Sequence, residues 1–419
     1  MDLMRSALAG HPEEIYSLLK FKLGGCETVQ TKCHYDQMCP SMRTCYQYLN
    51  QTSRSFAAVT QALDGDLRDA VCIFYLVLRA LDTVEDDMTI PLDTKLDMLH
   101  NFYTYLQDPA WRFMDSNEKD KMVLEDFPTI SQEFRKLKPL YQEVISDICR
   151  RMGAGMAEFV QRSDVDTLAD WDKYCHYVAG LVGIGLSRLF SGSEFEDQLV
   201  GEDTDLANSM GLFLQKTNII RDYLEDQVDG REFWPRQVWS KHANKLSDFR
   251  QSEMSQNALW CLNELVTNAL LHVPDVMKYM SRLRNQSVFN FCAIPQVMAI
   301  ATLARCYNNP KVFQGVVKIR KGEAVKMMIN ATNMENFRGI MRPFCEEIFS
   351  KMSQQDPSYS VTMEIVETIR QLTETKHNAL TIQTTLSPLH VSCVLVVAAM
   401  TWQYWTQIHW IYEHYLDWH

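Results

Sequence analysis

Apolar residues recur along most of the chain at the three- and four-residue spacing of helices that bury one face. This spacing predicts helices over residues 53–89, 95–107, 131–161, 205–226, 254–284 and 290–307. The stretch from Trp171 to Phe190 is apolar and rich in small residues, which predicts a buried helix with close packing or with room for a ligand. No run alternates in the manner of a strand, so the sequence predicts an all-α fold.

Helix-breaking residues are scarce, with 16 Gly and 13 Pro among 419 residues. No linker interrupts the pattern before about residue 352, so we expect one helical domain over 1–352, with roughly the first 35 residues peripheral. A polar connecting segment is expected over 353–385, with helical character at 361–377.

Residues 389–405 contain no Asp, Glu, Lys or Arg, and aromatic residues crowd the end of the chain that follows. An apolar stretch with an aromatic belt predicts a transmembrane anchor over 386–412, near the short end of the length that a span needs. The alternative is a buried terminal helix or one that lies on the membrane surface. Because the N-terminus lacks the apolar core of a secretory signal, a single C-terminal span predicts that the helical domain faces the cytosol.

The net charge of −12 argues against a general nucleic-acid binder, which needs a basic surface. The 12 cysteines are scattered without C-x-x-C or zinc spacing, which predicts reduced and mostly buried thiols. An acidic protein can still bind diphosphates when divalent metal ions carry the attraction.

Two identical D-x-x-E-D boxes stand near the ends of predicted helices, at 82–86 and at 222–226. Offsets of three and four place the carboxylates of each box on one helix face, where like charges destabilise a bare helix by a few tenths of a kcal/mol. Solvation explains one such box. Two identical boxes that both continue an apolar stripe favour a shared function.

Mg²⁺ prefers oxygen ligands and is typically held by one or two carboxylates together with phosphate oxygens. Two facing boxes therefore predict a site where metal ions stabilise a diphosphate leaving group. An allylic diphosphate ionised in this way leaves a carbocation, which needs a water-poor cavity lined by apolar and aromatic side chains.

Basic residues accompany both boxes: Arg79 precedes the first by one turn and Arg221 adjoins the second. Upstream, Ser53, Arg54 and Ser55 offer two hydroxyls and a guanidinium to phosphate oxygens, and Lys318 and Arg320 form a further basic group. Each of these alone is typical of a surface charge, and their significance comes from the carboxylates nearby.

In these features the chain resembles the squalene and phytoene synthase family over nearly its whole length. The matching segments are Ser53–Phe56, Leu81–Asp87, Tyr174–Gly185, Gln215–Asp226, Arg231–Pro235 and Val317–Gly322. The resemblance implies a single-domain, all-α isoprenoid-synthase fold around a central cavity, with Mg²⁺ and NADPH as cofactors. It implies that two farnesyl diphosphates condense head to head to presqualene diphosphate, which NADPH-dependent rearrangement converts to squalene. It also implies a monomer anchored in the endoplasmic reticulum membrane.

The resemblance also implies roles for individual residues. Asp82, Glu85, Asp86, Asp222 and Asp226 match metal ligands. Arg54, Arg79, Arg221, Lys318 and Arg320 match positions that bind the substrate diphosphate or the NADPH phosphates, and Ser53, Ser55 and Asn218 are expected at the substrate diphosphate. Tyr174 matches a tyrosine implicated in the first step and Phe291 an aromatic residue implicated in the second.

The residues themselves leave two of these roles open. A tyrosine with its ordinary pKa of about 10 is a poor base, so Tyr174 acts either as a base whose pKa is lowered or as a cation stabiliser. Tyr177 is a rival on the same helix, and both could simply pack. Phe291 suits cation stabilisation, although a core phenylalanine is the simpler interpretation.

NADPH is expected from the resemblance alone, because no G-x-G-x-x-G fingerprint follows a strand. A phytoene- or dehydrosqualene-type synthase without hydride transfer is therefore the nearest alternative. A non-catalytic helical membrane adaptor and a terpene cyclase also remain open.

Overall fold

The computed structural model describes residues 12–22, 30–33, 35–162, 165–251 and 255–374, and within these ranges the regular structure is helical, without strands. The first helices are α1 (Pro12–Lys22), α2 (Pro40–Thr52), α3 (Arg54–Gln61), α4 (Leu67–Asp86), α5 (Leu92–Tyr105), α6 (Met122–Glu125), α7 (Phe127–Phe134), α8 (Pro139–Arg162), α9 (Leu168–Cys175) and α10 (Leu181–Gly192). There follow α11 (Gln198–Glu202), α12 (Thr204–Arg221), α13 (Tyr223–Val228), α14 (Arg236–Trp239), α15 (Ser255–Leu270), α16 (Val273–Met280), α17 (Gln286–Cys306), α18 (Lys321–Asn330), α19 (Met334–Lys351) and α20 (Tyr359–Leu372). The all-α prediction is confirmed.

Several predicted helices are divided where the chain contains a breaker. The helix predicted over 53–89 is two helices, α3 and α4, separated by a turn in which Gly65 has a φ of +56°. The predicted helix over 131–161 divides before Pro139, and the one over 254–284 divides just before Pro274. Proline stands readily in the first turn of a helix but not in its interior, which accounts for both divisions.

The helix predicted over 205–226 is also interrupted, at Asp222, whose φ of −92° and ψ of 13° separate α12 from α13. The interruption is slight because backbone hydrogen bonds continue across it, from Asp222 N–H to Asn218 O and from Asp226 N–H to Asp222 O, both 2.9 Å long. The second acidic box therefore keeps the four-residue spacing of Asp222 and Asp226.

Helix α4 occupies the centre of the core, with 13 buried residues. Helix α17 is buried over most of its length. Of the helices in the described ranges, α17 alone is long and apolar enough to cross a membrane, yet 89% of its most apolar stretch is buried in the protein, as in the core helix of a soluble domain.

The small-residue segment forms a rod of α9, a π-helical turn over His176–Gly180, and α10. The rod packs against both helices that carry acidic boxes, α4 and α12. A Cβ atom added to Gly183 would lie 2.3 Å from the Ala207 carbonyl oxygen, and one added to Gly211 would lie 2.2 Å from that of Ala179. These glycines therefore bring the rod and α12 into backbone contact, as the sequence predicts.

After α19 the chain continues into α20, which packs against α15, α16 and α19. Ile365, Val366 and Ile369 form its buried stripe. The described part of the segment expected to be a polar connector is thus part of the packed helical body, because this stripe is apolar. The predicted anchor over 386–412 lies outside the described residues.

Candidate active site

The two acidic boxes face each other across one cavity, hereafter the acidic cavity, of about 350 Å³. The first box lies at the C-terminal end of α4, and the second spans the junction of α12 and α13. The cavity is lined by Arg79, Asp82, Glu85, Asp86, Tyr174, Val178, Gln215, Asn218, Ile219, Asp222, Asp226, Arg231 and Phe233. All five predicted metal ligands are therefore brought together.

Arg231 spans the gap between the boxes. Its Nη1 donates to Asp86 Oδ1 at 2.9 Å, and its Nη2 lies 3.4 Å from Asp226 Oδ1 and 3.1 Å from Asp229 Oδ2. The guanidinium is thus the cation that neutralises both walls of the cavity in this structure. Its Nε is buried without a hydrogen-bond partner.

The carboxylates of the acidic cavity are held in an environment that disfavours their charge. Burial raises the pKa of Asp82 to about 6, with a further contribution from Asp86 and an opposing one from Arg79. Burial followed by the charges of Asp82 and Asp86 raises the pKa of Glu85 to about 8. Burial likewise raises the pKa of Asp226 to about 7, against the effect of Arg231. A cation that enters the cavity would stabilise all three ionised forms.

Asp87, the residue after the first box, has a different environment. It is buried and accepts hydrogen bonds from the Thr89 N–H and Oγ1, from Ser116 Oγ and from the Asn117 N–H. These hydrogen bonds outweigh burial and lower the pKa of Asp87 to about 2. Asp87 therefore fastens the loop after α4 to residues 116–117 and does not line the acidic cavity.

The predicted basic residues divide between different positions. Arg79 lies in the acidic cavity, 3.8 Å from Asp82 and 3.9 Å from Asp120, and its guanidinium stands over the Tyr75 ring at 5.6 Å. Arg221 forms a two-pronged ion pair with Asp222, through Nε at 2.7 Å and Nη2 at 2.5 Å. Arg221 thus orients a predicted metal ligand without lining the cavity itself.

Two apolar cavities continue from the acidic cavity into the core. A middle cavity of about 270 Å³ shares Arg79, Asp82 and Val178 with it and is also lined by Ser53. A deep cavity of about 250 Å³ shares Phe56, Val182 and Leu186 with the middle one. Their shared walls define a channel that runs from a charged mouth to an apolar end, in agreement with the predicted central cavity.

Tyr174 lies at the charged mouth. Its ring is buried, stacks on Phe233 at 5.0 Å and meets Phe159 edge-on at 5.2 Å. Burial, and then the charges of Glu85 and Asp86, raise the pKa of Tyr174 well above its ordinary value. Tyr174 is therefore a neutral phenol beside the carboxylates in this structure.

Its rival Tyr177 does not line the acidic cavity. Its hydroxyl donates to Glu158 at 3.3 Å, and its ring fills the space that a side chain at Gly155 would need. Of the two tyrosines, the geometry favours Tyr174 for a role in the chemistry.

Phe291 lies at the other end of the channel, in the wall of the deep cavity. It meets Phe56 edge-on at 5.1 Å and Phe190 at 5.8 Å. The two residues predicted to act in successive steps thus stand in different compartments, one polar and one aromatic.

Lys318 and Arg320 are not brought to the acidic cavity. Lys318 is exposed, and Arg320 pairs with Glu14 and Glu323 beside a separate cavity. Their expected role stays a prediction. The side chains of Arg54 and Ser55 lie outside the described part of the chain.

Five residues of the acidic cavity carry no role in the sequence-based account: Val178, Gln215, Ile219, Arg231 and Phe233. Arg231 and Phe233 belong to segment 231–235, which resembles the family, and that resemblance is the sequence signal that could have identified them. Spacing alone could not identify Arg231 as a bridge, because its partner Asp86 is 145 positions away.

The donors of the acidic cavity fit Mg²⁺. Its described lining offers carboxylate, amide and phenol oxygens and no Cys or His. Among the residues that the structure describes, no group of three or more His, Cys, Asp or Glu side chains could hold a metal ion. One or two carboxylates per ion, with diphosphate oxygens completing the shell, suffice for Mg²⁺.

Comparison with known proteins places the chain in a family. The squalene/phytoene synthase family model matches residues 49–323. The squalene synthase of Homo sapiens is 62% identical over 409 residues, which cover 97% of this chain and 97% of that protein.

Solved structures agree with this placement. The complex of TcSQS with the ligand BPH1237 has a TM-score of 0.78 and 44% identity, covering 80% of this chain and 99% of that one. A dehydrosqualene synthase complex has a TM-score of 0.51 at 17% identity over 71% of this chain and 96% of that one, which shows a shared fold. Because the family match spans more than half of the chain and the human relative nearly all of it, this chain belongs to the squalene/phytoene synthase family and is an enzyme.

Proposed function

We propose that this enzyme condenses two farnesyl diphosphates head to head to presqualene diphosphate with Mg²⁺, and then uses NADPH to reduce and rearrange that intermediate to squalene for sterol biosynthesis. The observation that carries the proposal is the channel: carboxylates of both boxes line its mouth, and aromatic residues line its end. The relatives named squalene synthase support the choice of substrate and product.

The mouth suits diphosphate ionisation. Mg²⁺ bound there would supply positive charge to the departing diphosphate. Asp82, Glu85 and Asp86 on one wall, and Asp222 and Asp226 on the other, would hold the metal ions. Arg79 and Arg231 offer guanidinium groups to phosphate oxygens, and Asn218 offers an amide.

Tyr174 has a role that follows from its position. Its phenol lies at the junction of the carboxylate cluster and the aromatic stack with Phe233. Burial, and then the charges of the nearby carboxylates, raise the pKa of the phenol, so Tyr174 would give up its proton only where bound metal ions offset that negative charge. In its neutral state the ring stabilises a cation.

The apolar channel protects a carbocation from water. Phe56, Phe190 and Phe291 line the deep cavity, and their apolar rings would favour a cation over water there. We assign the second step to this end of the channel, with Phe291 as a cation-stabilising wall.

NADPH would supply hydride to the second step. Arg320 and Lys318 are the residues proposed to bind its phosphates, since a guanidinium and an ammonium suit phosphate oxygens. In the structure Arg320 already binds a carboxylate, Glu14, so its side chain is placed to bind an anion.

The experiment that tests this proposal measures inorganic diphosphate released from farnesyl diphosphate. With Mg²⁺ alone, we expect one diphosphate per two substrates consumed. With Mg²⁺ and NADPH, we expect two diphosphates per two substrates consumed. Full release without NADPH would favour the dehydrosqualene-type branch, and release from single molecules with a cyclic product would favour a terpene cyclase. No release under any condition would overturn the proposed reaction.

We further propose that residues 386–412 anchor the enzyme in the endoplasmic reticulum membrane as a monomer, with the helical body in the cytosol. The apolar and aromatic composition of that segment supports the proposal. A chain truncated after Glu374 should be soluble and active in a detergent-free extract. Recovery of the truncated chain with membranes would show that the anchor lies elsewhere.

A further inference from the structure

The N-terminal helix α1 covers the segment that carries Arg320. It packs against α18, the helix that begins at Lys321. The approach is close at Gly322, where an added Cβ would lie 2.5 Å from Glu14 Cβ. The absence of a side chain at Gly322 lets α1 lie directly on this basic segment.

Glu14 binds the guanidinium of Arg320. Arg320 donates to Glu14 Oε1 through Nη2 at 2.6 Å and through Nε at 3.1 Å. Carboxylate and phosphate oxygens accept the same pair of parallel hydrogen bonds from arginine. One turn further along α18, Lys326 donates to Glu13. Both cations are thus engaged by anionic side chains of the chain itself.

The carboxylates of α1 set the sign of the charge in the cavity beside them, which has a volume of about 570 Å³. Its charged lining residues are Arg305, Arg320 and Lys326 with Glu13, Glu14, Glu323 and Glu347. With α1 in place, three cations face four carboxylates and the lining is net negative. Without α1, the same three cations face two carboxylates and the lining is net positive, which attracts an anion.

Few of the described side chains of α1 are fully buried. Of its side chains that the structure describes, only Ser17 is buried, whereas Tyr16, Leu19 and Phe21 are exposed. The Lys326–Glu13 pair is exposed on both sides, and a pair of this kind contributes little to stability, whereas the Arg320–Glu14 pair joins a half-exposed guanidinium to a carboxylate that is only 15% exposed. Among the described side chains of α1, displacement of the helix would therefore expose few that are fully buried.

We propose that α1 is a displaceable cover, whose Glu13 and Glu14 compete with the phosphate groups of NADPH for Lys326 and Arg320. Binding of the dinucleotide then requires α1 to move aside. The inference rests on the proposed function, because that function supplies the phosphate ligand of Arg320.

The first test compares the affinity of the full chain for NADPH, with Mg²⁺ and inorganic diphosphate present, between the wild type and Glu14→Gln. Loss of the competing charge should tighten NADPH binding, by up to about fivefold for a pair of this exposure. Glu335→Gln is the matched control, since Glu335 is exposed and does not line the cavity. It should leave the affinity unchanged.

The second test follows hydrogen exchange of the α1 amides in the wild type. Saturating NADPH should accelerate exchange over residues 12–22, whereas binding without displacement would leave it unchanged or slow it. Unchanged or weaker NADPH binding in Glu14→Gln, or hydrogen exchange of the α1 amides that does not accelerate, would overturn the proposal that α1 is a displaceable cover. An absence of NADPH binding, or binding that Arg320→Met leaves intact, would overturn the proposed role of Arg320 and the cover with it.

Discussion

Carboxylates that are close neighbours at the end of α4 have opposite effects on the stability of the fold. Asp82 and Glu85 are partly buried beside one another, and this burial raises the pKa of each. Asp87 accepts four hydrogen bonds, which lower its pKa to about 2. Within six residues the chain thus contains charges that oppose folding and a charge that supports it, which distinguishes the proposed metal ligands Asp82 and Glu85 from Asp87.

Asp82→Asn and Asp222→Asn should each abolish both reaction steps while they leave the helical fold intact. The amide weakens metal binding, and for Asp82 it also removes a disfavoured charge from the first box. Diphosphate release and the thermal unfolding temperature are the measurements. We expect activity to fall by at least about 100-fold in both variants, and the unfolding temperature to hold or rise in Asp82→Asn. Wild-type turnover in either variant would remove these residues from the metal site.

Asp87→Asn should instead destabilise the protein by about 2 kcal/mol, the range for hydrogen bonds to a charged group. An asparagine amide nitrogen would face donors, such as the Ser116 hydroxyl and the Asn117 N–H, where the carboxylate accepted them. Urea denaturation measures the change. Asp86→Asn is the control, because that side chain is partly exposed, and equal stability loss in the two variants would contradict the distinction.

At the scale of residues, the two boxes can be recognised from the sequence, because each is a short local motif and the motif occurs twice. It does not predict the bridge made by Arg231, which depends on how a loop meets a helix 145 positions earlier. Nor does it predict the stack of Tyr174 on Phe233, for the same reason.

At the scale of elements, the rod of α9, the π-helical turn and α10 sets the distance between the two boxes, since it packs against both box-bearing helices. Its glycines permit backbone contact with α12. The sequence predicts the close packing from these glycines. The π-helical turn at His176–Gly180 has no signal in the apolar pattern, because the pattern continues through it.

Gly183→Ala should destabilise the protein by about 1–3 kcal/mol. The new Cβ would overlap the Ala207 carbonyl oxygen, so one of the two helices would have to shift. Gly339→Ala in α19 is the matched control, with nothing within 4 Å of the new Cβ. There, the helix preference of alanine should stabilise by up to about 1 kcal/mol. Chemical denaturation of both variants should give opposite signs; the same sign would show that the close contact does not constrain packing.

Lys216 ties α12 to α9, to α15 and to His272, the residue just before α16. Its buried ammonium donates to Asn268 at 2.6 Å, meets His272 Nε2 at 2.9 Å and pairs with Asp172 at 2.5 Å. Burial, followed by the charge of Lys216, lowers the pKa of His272 to about 3. His272 is therefore neutral in the folded protein at neutral pH.

This contact predicts a pH dependence. A histidine with a lowered pKa binds fewer protons in the folded state than in the unfolded one, whose pKa is about 6.5. Its contribution to stability is therefore complete above pH 6.5 and declines as the pH falls toward 3. Urea midpoints from pH 7 to pH 4 should fall less steeply in His272→Gln than in the wild type. Parallel pH profiles would contradict the assignment.

On the scale of the whole molecule, one channel joins two chemical environments. Its mouth is charged and lined by both boxes, and its end is aromatic and buried. An all-α fold follows from the period of the apolar pattern and from the scarcity of helix breakers, and the central cavity is what the family resemblance implies. The position of Arg320 under α1 does not follow, because α1 reaches it through contacts between segments 306 positions apart.

The central claim is that this channel carries out both steps, and product analysis tests it most directly. The enzyme is incubated with farnesyl diphosphate and Mg²⁺, with and without NADPH, and the products are identified by mass spectrometry. The account predicts presqualene diphosphate without NADPH and squalene only when NADPH is present. A C30 hydrocarbon formed equally without NADPH, or an absence of any condensation product, would contradict it.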